Sequence, residues 1–330
     1  MIQIGKESNV MSYADKLFRK MCTEIIENGT DTRGEDVRPV WEDTGEKAYT
    51  IKQFGIVNRY DLRKEFPALT FRKTGIKSAM DEILWIFQRK SNNIHDLKPH
   101  IWDEWADENG LIGKAYGYQI GEKYIHHSFT LNDFPSIDAY ETYSAQMKRE
   151  YPSYEEVWTE GNEKVQVKLD QIDAVIYDLK HTPFNRRIMT SIWNFDELHE
   201  MNLQPCCWSC MFSVTDEGSG NLVLNMTLTQ RSNDVLAANN WNVVQYALLL
   251  MMIAQVCGME AGILLHVIND AHIYDRHVDI VKELIQRESY PAPIVKLNPN
   301  VTDFYKFTTD DLTIENYIAG EQVKNIPIAV

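Results

Sequence analysis

The apolar run after Asn242 restricts this chain more than any other feature. Residues 246–254 carry no charged side chain and are hydrophobic around the whole helical circumference. A surface helix keeps one polar face, so a helix without one has to be buried on every side. The run is far shorter than a bilayer span and is bounded by Gln245 and Gln255. It predicts a central helix, and the rest of the chain must supply the layers that cover it.

The preceding residues supply strands. Cys210, Phe212 and Val214 alternate with polar or small residues, and Leu222, Leu224, Met226 and Leu228 alternate again. Between them, residues 216–221 form a turn signal, so the two runs predict a hairpin. Helical spacing appears at residues 13–28, ending at Asn28-Gly29, at residues 76–88, and near 169–180. Helices and strands mix without regular βαβ alternation, which predicts an α+β fold with a mixed sheet packed by helices around the buried one. Residues 1–330 read as one domain. Residues 121–166 are rich in Tyr and Glu with weak periodicity, and read as an inserted small subdomain.

Charge excludes one class of function. The chain carries 48 acidic and 33 basic side chains, a formal charge of -15. Such a surface repels nucleic acid, although a few clustered arginines still suffice for one phosphate. The first residues lack the apolar core and cleavage site of a secretory signal, and there are five cysteines, an odd number. Together these predict a cytoplasmic protein with free thiols and no membrane anchor.

Three short runs carry chemistry. Leu203-Gln204-Pro205-Cys206-Cys207 places a thiol after a proline at the start of a strand. A lone cysteine is more often a small buried hydrophobe, but Arg231 on the hairpin partner would favour its thiolate. Cys206, Cys207 and Cys210 lack a second ligand pair, so no metal site is predicted. Gln230-Arg231-Ser232-Asn233-Asp234 puts a cation, a hydroxyl and a carboxylate in one segment, suited to phosphate. Arg38 and the pair Arg186-Arg187 are further phosphate candidates, with surface salt bridging as the plainer use. Asp270-Ala271-His272-Ile273-Tyr274 sets an imidazole and a phenol on one face of a strand, suited to a sugar hydroxyl. Asn242 either caps the apolar helix or presents its amide to the N3–H and O4 edge of uracil.

In order and type these runs resemble the thymidylate synthase family. The resemblance extends from near Glu24 to the last residue. It includes Asp36-Val37-Arg38, Glu82-Ile83-Leu84-Trp85, Ile101-Trp102-Asp103-Glu104-Trp105, Tyr116-Gly117, Asn185-Arg186-Arg187 and Pro327-Ile328-Ala329-Val330. It implies reductive methylation of dUMP to dTMP, with 5,10-methylenetetrahydrofolate as cosubstrate donating both carbon and hydride, and dihydrofolate as coproduct. No metal is implied.

The resemblance also assigns roles. Cys206 would add to C6 of the pyrimidine, with Glu82, Tyr116, Arg231 and Asn242 completing the catalytic set. Glu82 would organise water for proton transfers, and Tyr116 would assist near the thiol. Arg38, Arg231, Ser232, Asn233 and Asp234 would form the dUMP site with Asn242, His272 and Tyr274. Arg186 and Arg187 would reach the phosphate of the neighbouring protomer in a homodimer. Trp102, Asp234 and Ala329 would contact the folate, with the terminus closing as a lid. The chain departs from the family pattern at Cys207, where His is usual, across residues 237–241, and at Asn269. The alternative within the same chemistry is a dUMP hydroxymethylase; outside it, a non-catalytic nucleotide- or RNA-binding protein.

Overall fold

The computed structural model describes residues 11–159, 164–218 and 220–330. A six-stranded sheet runs in the order β1 (Thr30–Asp31), β2 (Thr50–Asp61), β9 (Glu260–Tyr274), β8 (Leu222–Asp234), β7 (Cys207–Asp216), β6 (Met189–Ser191). Every neighbouring pair is antiparallel except β8 and β9. That parallel pair is joined by α6 (Asn239–Val256). Parallel strands need a crossover, and α6 provides it. Val243, Val244, the residues 247–250 and Met252 on α6 are all fully buried.

The hairpin β7–β8 falls where alternation predicts it, with Gly218 and Gly220 at φ +101° and +78° turning the chain. On the inner face Cys210, Phe212, Met226, Leu228, Leu264 and Ile268 are buried against helices. Two further helices, α1 (Tyr13–Asn28) and α2 (Ile76–Phe87), match their predicted spans closely, and α5 (Gln171–His181) starts two residues late. Asp170 sets that start, because its carboxylate caps the helix by accepting from Asp173 N.

The opposite face of the sheet is largely uncovered. Met189 faces Met211, Met211 faces Thr227, and Val57 faces Val267 across the ladders. Met189, Met211 and Val57 are exposed.

Residues 124–169 carry a separate antiparallel sheet in the order β3 (Tyr124–Phe129), β5 (Val165–Leu169), β4 (Glu155–Trp158), with α4 (Ile137–Glu150) before β4. The sequence shows no clear period for α4 because only Ser144 and Met147 are buried. The helix is instead fixed by Ser136, whose hydroxyl accepts from Ala139 N. No helix among the described residues is long and apolar enough to cross a membrane.

Candidate active site

Cys206 sits immediately before β7, and Arg231 on β8 holds the segment around it. Arg231 N donates to Cys206 O at 2.9 Å, its Nε to Pro205 O at 3.0 Å and its Nη2 to Gln204 O at 2.8 Å. Three consecutive carbonyls are thereby tied to one residue. Burial raises the Cys206 thiol above its usual value, and the charges of Arg231 and Arg38 pull it back only in part. The guanidinium acts in the expected direction, but desolvation outweighs it.

Tyr116 approaches from the other side. Its hydroxyl accepts from Cys206 N at 3.3 Å, and its φ of +48° is a costly conformation for a non-glycine residue. The next position has to be glycine: a Cβ on Gly117 would lie 2.2 Å from Ser91 O. The Tyr116 ring meets Trp102 edge-on at 4.7 Å, and Trp102 Nε1 donates to Glu82 Oε1 at 2.9 Å.

Glu82 is buried on α2. Its second oxygen accepts from Trp241 Nε1 at 2.6 Å. Burial pushes the carboxyl up, opposed by Trp241, Trp102 and Gln245. A carboxyl held near its proton in this way is suited to general acid and base work.

Asn242 lies in the first turn of α6, but Ala238 occupies the capping position. Its Oδ1 accepts from Gln230 Nε2 at 3.1 Å, and its Nδ2 donates to Gln245 Oε1 at 3.1 Å. Capping is therefore not its use. A file of contacts runs from Cys206 through Tyr116, Trp102 and Glu82 to Trp241, the residue before Asn242 on α6.

The remaining predicted residues divide into two groups. His272 and Tyr274 lie edge-on at 5.2 Å on β9, with His272 Nδ1 2.8 Å from Asp270 Oδ1. Burial first, then Asp234, pushes Tyr274 up to about 12, while Arg38 pulls against them. Arg38 is exposed, yet its charge acts on both Tyr274 and Cys206. Ser232 is half-buried on β8. Asp234 accepts from Ala237 N at 3.0 Å and faces His277 Nδ1 at 3.7 Å. Burial alone would raise the Asp234 carboxyl; His277 turns the balance and lowers it.

Ala329 pairs with Trp41, and Val40 and Val330 exchange backbone hydrogen bonds of 2.9 Å. His277 Nε2 donates to Pro327 O at 2.8 Å. The last residues are thus laid beside Asp234 and Tyr274.

The second group is turned elsewhere. Asn233 is buried and its Oδ1 accepts from Asn239 Nδ2, at the base of α6. Arg186 and Arg187 are exposed, and neither side chain has a hydrogen bond or ion pair among the described residues. Sequence reasoning assigned no role to Trp241, Gln230, Gln245, His266 or His277. Trp241 was readable as an indole beside Asn242 in the helix's first turn; the others look like ordinary strand and helix residues. Asn240 explains part of the unusual 237–241 segment. Its amide accepts from Leu69 N and Thr74 Oγ1 and donates to Pro67 O, all within 3.0 Å, stapling the 67–74 segment to α6.

Among the described residues no group of three or more His, Cys, Asp or Glu could hold a metal ion. The fold and these contacts define an α+β protein in which α2, α6 and the start of β7 bring a thiol, a buried carboxyl and an amide together. The chain belongs to the thymidylate synthase family: the profile described as "Thymidylate synthase" matches residues 16–330. The thymidylate synthase of Bacillus subtilis subsp. natto is 37% identical over 316 residues, covering 95% of this chain and 98% of its own. That of Bacillus phage phi3T is 36% identical with the same coverage. The solved structure of thermostable thymidylate synthase A from Bacillus subtilis superposes with a TM-score of 0.77 at 36% identity, covering 96% of this chain and 99% of that one. Its fold is the thymidylate synthase fold.

Proposed function

We infer that this protein catalyses reductive methylation of dUMP to dTMP with 5,10-methylenetetrahydrofolate, a methyltransferase reaction that releases dihydrofolate. The observation that carries the reading is the file from Cys206 to Trp241, beside Asn242, in a chain of this family. A nucleophile and a proton-handling carboxyl are joined by direct contacts, and the base-reading amide follows Trp241, which holds that carboxyl.

The chemistry follows from those residues. Cys206 sulfur forms a bond to C6 of the pyrimidine, and the displaced electron pair makes C5 nucleophilic. Arg231 and Arg38 stabilise the thiolate and meet the substrate phosphate, whose hydroxyl partner is Ser232. Asn242 accepts from N3–H and donates to O4. His272 and Tyr274 hold the sugar hydroxyl. Glu82, poised by burial against two indole N–H groups, exchanges protons at the base and the cosubstrate through water. Loss of the C5 proton and expulsion of Cys206 complete the residue-borne steps.

The residues fit the folate. Half-buried Trp241 and buried Trp102 offer flat apolar faces, and the ionised Asp234 suits the N–H groups of a pterin. When bound, the folate supplies the one-carbon unit and the hydride. Ala329, laid against Trp41, would close over it.

The partner is a second copy of this chain. The uncovered sheet face bearing Val57, Met189 and Met211 would seat it, and the exposed Arg186 and Arg187 would reach its phosphate site. All five cysteines are free, which suits a reducing cytoplasmic setting. The reaction is tested by incubating the protein with dUMP and methylenetetrahydrofolate and following dihydrofolate by absorbance. Thymidylate is the expected product. A hydroxymethyl product without dihydrofolate would instead show that water, not hydride, ends the reaction.

A further inference from the structure

Behind Asn242 lies a file of buried polar side chains, and such groups are costly unless each finds a partner. His266 is fully buried on β9, with Nε2 2.7 Å from Gln230 Oε1. Gln230 Nε2 is 3.0 Å from Ser232 O and 3.1 Å from Asn242 Oδ1. Asn242 Nδ2 is 3.1 Å from Gln245 Oε1. Gln230 and Gln245 are 1% and 2% exposed, so neither amide can trade its partner for solvent.

One backbone carbonyl fixes the direction of the whole file. Ser232 O only accepts, so the nitrogen of Gln230 must face it. The Gln230 oxygen is then left toward His266, which has to donate from Nε2. The same Gln230 NH2 group donates to Asn242, whose oxygen therefore faces Gln230 and whose nitrogen faces Gln245. Asn242 keeps one lone pair and one N–H for the cleft. An acceptor beside a donor complements uracil. Cytosine presents the reverse pair, and like groups would oppose each other. His266 Nδ1 is buried without a partner, and burial pushes the ring down to about 3. The imidazole is neutral, with its single proton on the nitrogen that meets Gln230.

We propose that His266 is a positioning residue for base choice: its Nε2–H anchors Gln230, and Gln230 holds the Asn242 amide in the orientation that accepts uracil and refuses cytosine. The proposal rests on the reading of Asn242 as the base-reading group. Gln245 completes the file from the other side. Its Nε2 is buried and has no hydrogen-bond partner among the described residues.

The test measures dissociation constants of dUMP and dCMP for the full chain and three variants. His266→Phe keeps an aromatic ring but leaves the Gln230 oxygen bare. The dUMP-over-dCMP ratio is expected to fall about tenfold or more, as an unpaired buried acceptor weakens the hold on Asn242. His266→Gln retains a donor and is expected to stay within about threefold of the parent. Asn242→Asp should shift the ratio most. A His266→Phe ratio equal to the parent's, beside a shifted Asn242→Asp ratio, overturns the relay alone. Unchanged ratios in both overturn the base-reading role and the relay with it. An equal loss in His266→Phe and His266→Gln shows a need for the imidazole itself and also overturns the relay. Nitrogen NMR of the unmodified protein gives a check that needs no variant: the ring proton is expected on Nε2, and a proton on Nδ1 overturns the proposal.

Discussion

At the scale of single residues, the proposed reaction depends on one thiol among three neighbours. Cys207 and Cys210 are buried, and burial drives both thiols up, Cys210 to about 12. They pack as small apolar groups. Cys206 alone combines partial exposure with two cationic influences. Cys206→Ser is expected to lower kcat by several orders of magnitude while keeping dUMP affinity, because a serine hydroxyl is a far poorer nucleophile at neutral pH. Cys207→Ala and Cys210→Ala should retain turnover within about tenfold, a core change rather than a chemical one. Steady-state kinetics with equilibrium binding separates the two outcomes. This division was legible in the sequence, since Cys206 follows Pro205 at the head of a strand. The relay partners were not. Gln230, Gln245 and His266 sit at inward strand and helix positions that would otherwise be apolar, and only their mutual distances reveal a polar file.

Among the elements, α6 and the C-terminal segment show opposite kinds of attachment. Leu249 is fully buried in the middle of α6, so Leu249→Ala should destabilise the fold by about 2–5 kcal/mol, read as a lower midpoint in urea unfolding. The apolar circumference announced this helix because burial on all sides leaves a compositional mark. α4 left no such mark, since only Ser144 and Met147 along it are buried. The terminal segment is tied by backbone pairs and by His277. Burial lowers the His277 ring, but Asp234 and then the Pro327 carbonyl raise it further, so its folded value exceeds the usual 6.5. A raised histidine contributes stability that is complete below about pH 6.5 and is lost as pH rises through the folded value. Hydrogen exchange of residues 328–330 is expected to quicken as pH climbs from about 6 to 9, after correction for intrinsic rates. His277→Gln should remove that excess; an unchanged profile in the variant would detach His277 from the latch.

For the whole molecule, the open sheet face and the exposed Arg186 and Arg187 make one prediction about assembly. Mixing inactive Cys206→Ser protein with an inactive Arg186→Ala, Arg187→Ala variant should restore activity once subunits exchange. Each hybrid then holds one site with an intact thiol and intact arginines from its neighbour, giving roughly a quarter of full activity for random exchange. Exchange without recovery would show that the arginines serve their own chain. The sequence marked the arginines but gave no sign of the face, because its apolar residues alternate with polar ones and read as an ordinary half-solvated sheet. The order of the central strands has a further consequence for how the chain is made. Thr50 on β2 is paired with Tyr274 at the end of β9, and β9 in turn takes its place beside β8 only after α6 has crossed over. During synthesis β2 therefore emerges with only the two-residue β1 beside it and keeps its other edge open until most of the chain has left the ribosome. A nascent chain of this kind should be most prone to aggregate just before residues 260–274 appear, and ribosome pausing ahead of that segment would lengthen the exposure.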